Sequence, residues 1–231
     1  MLVLLDIDGT LLHGTPRAHV EALVRAMEDV HGVPARAADV AAILPPGRTD
    51  PEIARLVLRR HGIGDAAITE AMPALIGRAA ALYPEIDSAG PPPVVAPGAA
   101  AALGRMRAAG AELGLLTGNL EPIARAKMAR AGLGDWFPEG GGAFGSDHER
   151  RGALVPIARA RAAADGGGVA VVGDTPGDIA CARAGGARCV AVATGPHRAH
   201  ELVAADAVVG DLAEAAAVIE AWLVPTAPGR P

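Results

Sequence analysis

Residues 1–10 read MLVLLDIDGT: five apolar side chains, then Asp6, Ile7, Asp8, Gly9 and Thr10. A short, solidly apolar run that stops at acids and a glycine predicts a strand over residues 2–7, buried on both faces. Strands of that kind belong to parallel sheets, and polar groups gathered at their carboxyl ends are where such sheets bind ligands. The run is too short for a secretory signal peptide and has no basic region before it.

The same texture returns after Pro97 and continues almost to the end. Helices predicted at 98–109, 121–131, 152–164, 176–184, 198–204 and 211–223 alternate with apolar strands at 112–117, 169–173, 187–193 and 207–209, and with a short apolar patch at 143–144. That alternation predicts an α/β fold, a Rossmann-like parallel sheet covered by helices. Residues 15–90 break the pattern. They hold no comparable strand and read as helices at 16–31, 50–61 and 65–83, punctuated by Gly32, Pro34, Pro45, Pro46 and Gly62 and closed by the stiff Ala89-Gly90-Pro91-Pro92-Pro93. The expected organisation is a core domain of residues 1–14 and 91–224, a helical cap of residues 15–90 inserted after the first strand, and a frayed tail of residues 225–231.

Composition narrows the function classes. Of 231 residues 51% are hydrophobic and 20% charged, which favours a packed core over disorder. The net charge of −5 and five aromatic residues argue against a nucleic-acid surface. No stretch of about 18 residues is apolar without charges, so no membrane partner is expected. Cys181 and Cys189 follow apolar patterns without a CxxC spacing, which fits a reducing, cytoplasmic setting. His13, His31, His61, His148, His197 and His200 lack metal-ligand spacing and read as solvated surface groups.

Four polar clusters fall at predicted strand ends: Asp6-Ile7-Asp8-Gly9-Thr10, Thr117-Gly118-Asn119, the Arg150-Arg151 region, and Gly173-Asp174-Thr175-Pro176-Gly177-Asp178. Asp6 and Asp8, two residues apart, raise each other's pKa unless a cation lies between them. A hard divalent ion such as Mg²⁺ meets that need, leaving one carboxylate as a nucleophile toward phosphorus and the other as acid and base. Asp174 adds a third carboxylate, and Asp178, one helical turn on, holds a metal-bound water or orients the site. Thr117 and Gly118 form a phosphate cradle at a strand-to-helix turn, with Asn119 adding a hydrogen bond or capping the helix. Each cluster also has a plain structural explanation as a turn or helix cap.

Together these motifs resemble those of the haloacid dehalogenase-like hydrolase superfamily, and most nearly its phosphoglycolate phosphatase-like branch, whose helical cap follows the first motif. The resemblance implies that Asp6 is a nucleophile forming an aspartyl-phosphate and Asp8 the general acid and base. It implies Mg²⁺ held by the Asp6 side chain, the Asp8 backbone carbonyl and Asp174, and phosphoryl oxygens held by Thr117 and the Gly118 amide. The family generally places a lysine in the third motif. The only lysine here, Lys127, lies on the helix just after Thr117, the wrong place for it, so the cation falls to Arg151, with Arg150 as the open alternative. A Gly-x-Thr segment in the caps of similar proteins faces the active site, which offers Arg48 as a contact to an anionic substrate, although Thr49 or Asp50 capping a helix explains the segment as well. The implied substrate is a small phosphorylated metabolite, acted on by a monomer or homodimer. Alternatives on the same scaffold are a phosphomutase, a dehalogenase, which needs neither Asp8 nor a metal, and a non-catalytic phosphate-binding module.

Overall fold

A computed structural model describes residues 1–14, 17–43, 47–162 and 167–224; the expected tail at 225–231 lies outside the described residues. Strands β1 (Leu2–Leu5), β4 (Glu112–Leu115), β5 (Val169–Gly173), β6 (Arg188–Val192) and β7 (Ala207–Val209) form one parallel sheet in the order β4-β1-β5-β6-β7. Leu5 lies opposite Leu115 on one side and Val172 on the other, so the carboxyl ends of β4, β1 and β5 sit level. This register brings Asp6, Thr117 and Asp174 to the same edge of the sheet although they are far apart in the chain.

The two-residue period of the strands explains why they read as continuous apolar runs. Val3, Leu5, Val172 and Val190 point into a cluster formed with α5 (Ala99–Ala108), α6 (Glu121–Arg130) and α9 (Leu212–Leu223). Leu2, Leu4, Val171 and Cys189 point the other way, against α7 (Leu154–Arg161) and α8 (Pro176–Ala184). Both faces are covered, and both cysteines are buried.

Residues 17–88 form α1 (Arg17–His31), the short α2 (Ala37–Ala41), α3 (Asp50–Arg60) and α4 (Asp65–Ser88). They enclose their own apolar cluster, which Leu120 and Ile123 of the core also join. The chain crosses between these helices and the sheet as a two-stranded antiparallel ribbon, β2 (Leu12–His13) against β3 (Val94–Val95).

Several expected boundaries shift. Helix α4 does not end at residue 83 but runs through Pro73 and Pro84 to Ser88. Each proline removes a backbone hydrogen bond. The stripe Ile68, Met72, Leu75, Ala79, Leu82 and Tyr83 is buried, however, and packing of such a face outweighs local propensity. The helix expected at 198–204 is a single 3₁₀ turn, Ala199–Glu201, because only Leu202 in that stretch is buried and no apolar face exists to hold a longer helix. The helix expected at 152–164 opens as a 3₁₀ turn at Arg151–Ala153, and residues 163–166 lie outside the described residues. The expected strand at 112–117 ends at Leu115, which leaves Thr117 beyond it; Leu116 instead bridges Ala143.

Candidate active site

Asp6, Asp8, Arg48, Thr117, Gly118, Asn119, Arg151 and Asp174 line one cavity of about 600 Å³. Asp178 lies behind it, fully enclosed. Carboxylate oxygens of Asp6, Asp174 and Asp178 lie within 4.8 Å of one another.

The local chain explains each placement. Gly9 turns at φ 95°, a conformation open to glycine, and a Cβ there would collide with the Asp174 carboxylate. Thr10 donates to Asp174 Oδ1 at 3.1 Å. Thr175, not Asp174, caps α8: its hydroxyl accepts from the Asp178 amide while Asp178 Oδ2 accepts from the Thr175 amide at 3.0 Å, a reciprocal capping box. That box aims the other Asp178 oxygen at Arg151. The Arg151 guanidinium donates to Asp178 Oδ1, to Asp6 Oδ1 at 3.0 Å and to the Gly47 carbonyl at 3.3 Å. Arg150 is exposed, so of the two arginines it is Arg151 that enters the site. Burial works against its charge, but Asp178 and Asp6 keep it protonated.

Three buried carboxylates and one guanidinium leave a formal charge of −2. Burial, followed by repulsion from Asp178, pushes Asp6 well above the usual carboxylate range despite Arg151. The same two causes push Asp174 up to about 7. Asp174 Oδ2 is buried without a hydrogen-bond partner among the described residues, pressed against Gly9 and Gly195 where a Cβ would fill the space. A divalent, oxygen-seeking cation answers both the surplus charge and the unsatisfied oxygen. Mg²⁺ therefore fits these residues.

Asp8 corrects an expectation. Its carboxylate does not share a cation with Asp6; it turns to Lys127, whose Nζ donates to Asp8 Oδ1 at 2.9 Å and Oδ2 at 2.6 Å. Burial raises the Asp8 pKa, but Lys127 and then His19 outweigh it and hold the carboxyl below its ordinary range. Lys127 is thus wrongly placed for the third motif yet points into the site from α6, only 3% exposed. It also donates to Asn119 Oδ1 at 2.7 Å and lies 3.2 Å from His19 Nδ1. Lysine only donates, so His19 Nδ1 accepts, and its Nε2–H donates to Asp50 Oδ2 at 2.8 Å. Asp50 Oδ2 in turn accepts from the Leu120 amide at 2.8 Å, satisfying the start of α6. Asn119 therefore does not cap that helix, and the Thr117 hydroxyl accepts from the Asn119 amide at 3.2 Å.

His19 and Lys127 are the site residues that motif spacing misses, while Thr10, quoted with the first motif, and Asp50, named only as a possible cap, gain roles the spacing did not give them. Helical periodicity holds a signal for both His19 and Lys127. His19 sits on the buried face of α1 with Ala22, Leu23 and Ala26, and Lys127 on that of α6 with Ile123, Ala124 and Met128. The other histidines are not uniformly solvated: His61 and His200 are exposed, while His13, His31, His148 and His197 are half-buried.

The segment before α3 closes the cavity. Thr49 caps α3 by accepting from the Glu52 amide, and its hydroxyl donates to the Glu149 carbonyl. The Asp50 amide donates to the Gly118 carbonyl at 2.8 Å. A Cβ on Gly118 would run into the Arg48 carbonyl. Gly118→Ala is expected to force residues 47–50 off the core and to lower kcat/KM about tenfold through lost positioning. Faster hydrogen exchange at the Asp50 amide checks this; unchanged exchange would disprove the contact's role.

The chain as a whole is similar to known proteins. A family model for haloacid dehalogenase-like hydrolases matches residues 1–186. A phosphoglycolate phosphatase of Cereibacter sphaeroides is 32% identical over 204 residues, covering 87% of this chain and 89% of that protein. One of Rhodospirillum rubrum is 32% identical over 209 residues, covering 85% and 80%. Among solved structures, CbbY from Rhodobacter sphaeroides in complex with phosphate aligns with a TM-score of 0.63 at 20% identity, covering 92% of this chain and 95% of that one. With a family model matching residues 1–186 and relatives 32% identical over most of its length, the chain belongs to the haloacid dehalogenase-like hydrolase family, among its phosphatases.

Proposed function

We propose that the protein is a Mg²⁺-dependent phosphatase that hydrolyses a small phosphomonoester through an aspartyl-phosphate on Asp6. The observation that carries this is a single cavity walled by Asp6, Asp8, Thr117, Gly118, Arg151 and Asp174. Asp6 Oδ attacks phosphorus and the ester oxygen leaves with a proton passed from solvent through Asp8, which rests as a carboxylate; Asp8 then takes a proton from water, which attacks the acyl-phosphate and frees phosphate. The Thr117 hydroxyl and Gly118 amide hold the phosphoryl oxygens, and Arg151 balances their charge with the planar fork suited to phosphate. Asp178 orients Arg151, and Arg48 faces the organic part of the ester from the cap. Asp6, Asp174 and the Asp8 backbone carbonyl would hold Mg²⁺, which when bound neutralises charge on the phosphoryl group and the nucleophile. Closure of the helical segment over the cavity excludes bulk water.

Metal binding has a readout apart from turnover. Asp6 and Asp174 retain protons in the folded chain at pH values where unfolded aspartates, near 3.9, have lost them. Between about pH 4 and 7 the native state binds more protons than the unfolded state, so without metal the stability falls as pH rises through that window. Mg²⁺ is expected to restore the lost stability most strongly at pH 7 and above. Thermal melts in chelator and in Mg²⁺ at pH 5, 6, 7 and 8 check this. A melting temperature insensitive to Mg²⁺ at pH 8 would rule out the acidic cluster as its site.

A further inference from the structure

The cavity lining is apolar in part: Val20 and Leu23 of α1, Val40 of α2, Ile43, and Ile53 of α3 contribute to it, together with Arg48. The cationic groups that line the cavity are answered from within the protein. Arg151 is held by Asp6 and Asp178 and Arg48 by Glu52, while the His19 ring is taken up between Lys127 and Asp50. His13 also lines the cavity, and its Nε2 is buried without a hydrogen-bond partner among the described residues. Residues 15, 16 and 44–46, outside the described residues, are Thr, Pro, Leu, Pro and Pro and bring no charge. A carboxylate pressed against those apolar side chains loses its hydration, whereas an alkyl or aryl group gains from burial. The cavity of about 600 Å³ is about twenty times the roughly 30 Å³ a liquid water occupies, which leaves space beyond the phosphate for a compact organic group.

We infer that the preferred substrate is the phosphomonoester of a small, uncharged, largely apolar alcohol, and that phosphoglycolate, with its second anionic end, is a poor one. This rests on the phosphatase reading above. A matched pair tests it: isobutyl phosphate places two methyl groups where phosphoglycolate carries two carboxylate oxygens. With Mg²⁺ present, kcat/KM is expected to be at least about tenfold higher for isobutyl phosphate. Val40→Arg, on the partly exposed α2, is expected to shift the ratio toward phosphoglycolate by at least about tenfold, since it adds a cation with no partner among those apolar side chains. Hydrolysis of a generic aryl phosphate with phosphoglycolate equal to or better than isobutyl phosphate would overturn this inference and leave the phosphatase reading standing. A ratio unmoved in Val40→Arg would show that the apolar lining does not set the preference and would overturn it as well. No turnover of the aryl ester or of either member of the pair would overturn the phosphatase reading, and this inference with it.

Discussion

Asp6→Asn is expected to lower turnover of an aryl phosphate by at least about 10⁴-fold while leaving the protein as stable in chelator as the parent, or more so. The first effect follows from chemistry: an amide oxygen cannot form the acyl-phosphate, and loss of a nucleophile removes the step on which the other groups act. The second follows from electrostatics. Burial, and after it the neighbouring carboxylates, raise the Asp6 pKa, so its charged form is a liability to the metal-free fold. Asparagine keeps the shape and removes the repulsion, and Arg151 retains Asp178. The stabilisation by Mg²⁺ should shrink in the same variant. Turnover, melting in chelator and the Mg²⁺-dependent shift separate the outcomes. A variant that unfolds would show that Asp6 is structural; one that still turns over at the parental rate would remove it as nucleophile.

The convergence of Asp6, Thr117 and Asp174 was legible because it depends on the backbone. Apolar runs fix β1, β4 and β5, parallel pairing sets them level, and polar residues just past their ends must then meet. Arg151 was legible as the preferred cation with Arg150 left open, because which of two adjacent side chains turns inward depends on how the 3₁₀ turn Arg151–Ala153 is placed. Lys127, His19 and Asp50 were not legible from motif spacing. Each acts across a long sequence separation through the tip of its side chain, and no local rule states where the end of a buried lysine goes. The signal they left was a polar residue on an otherwise apolar helix face, which reads equally well as a satisfied core group. The long helix Asp65–Ser88 was hidden for the opposite reason: Pro84 is a strong local breaker, and only the packed partner overrules it.

Lys127→Met follows from this network, and its expected effect is the second largest. Methionine fills nearly the same space but leaves both Asp8 oxygens, Asn119 Oδ1 and His19 Nδ1 without their common donor. Removing one member of a buried ion pair costs roughly 3–5 kcal/mol. Asp8 keeps some contact with water, with 29% of its side chain exposed, so a loss at or below the low end of that range is expected, read as a lower melting temperature. Lys127 acts on catalysis through Asp8, as a positioning residue. It fixes the carboxylate's direction and lowers its pKa, so without it Asp8 is misdirected and holds its proton to higher pH. Turnover is expected to fall about 10³-fold, within the range general acid–base catalysis supplies, and the acid limb of the pH profile to move upward. Lys127→Arg restores the charge but not the single-point geometry. It should recover the position of the acid limb more fully than the rate. A Lys127→Met enzyme with the parental pH profile, and a rate reduced only in proportion to its folded fraction, would reduce the lysine to a structural tie between α6 and the helices above the sheet.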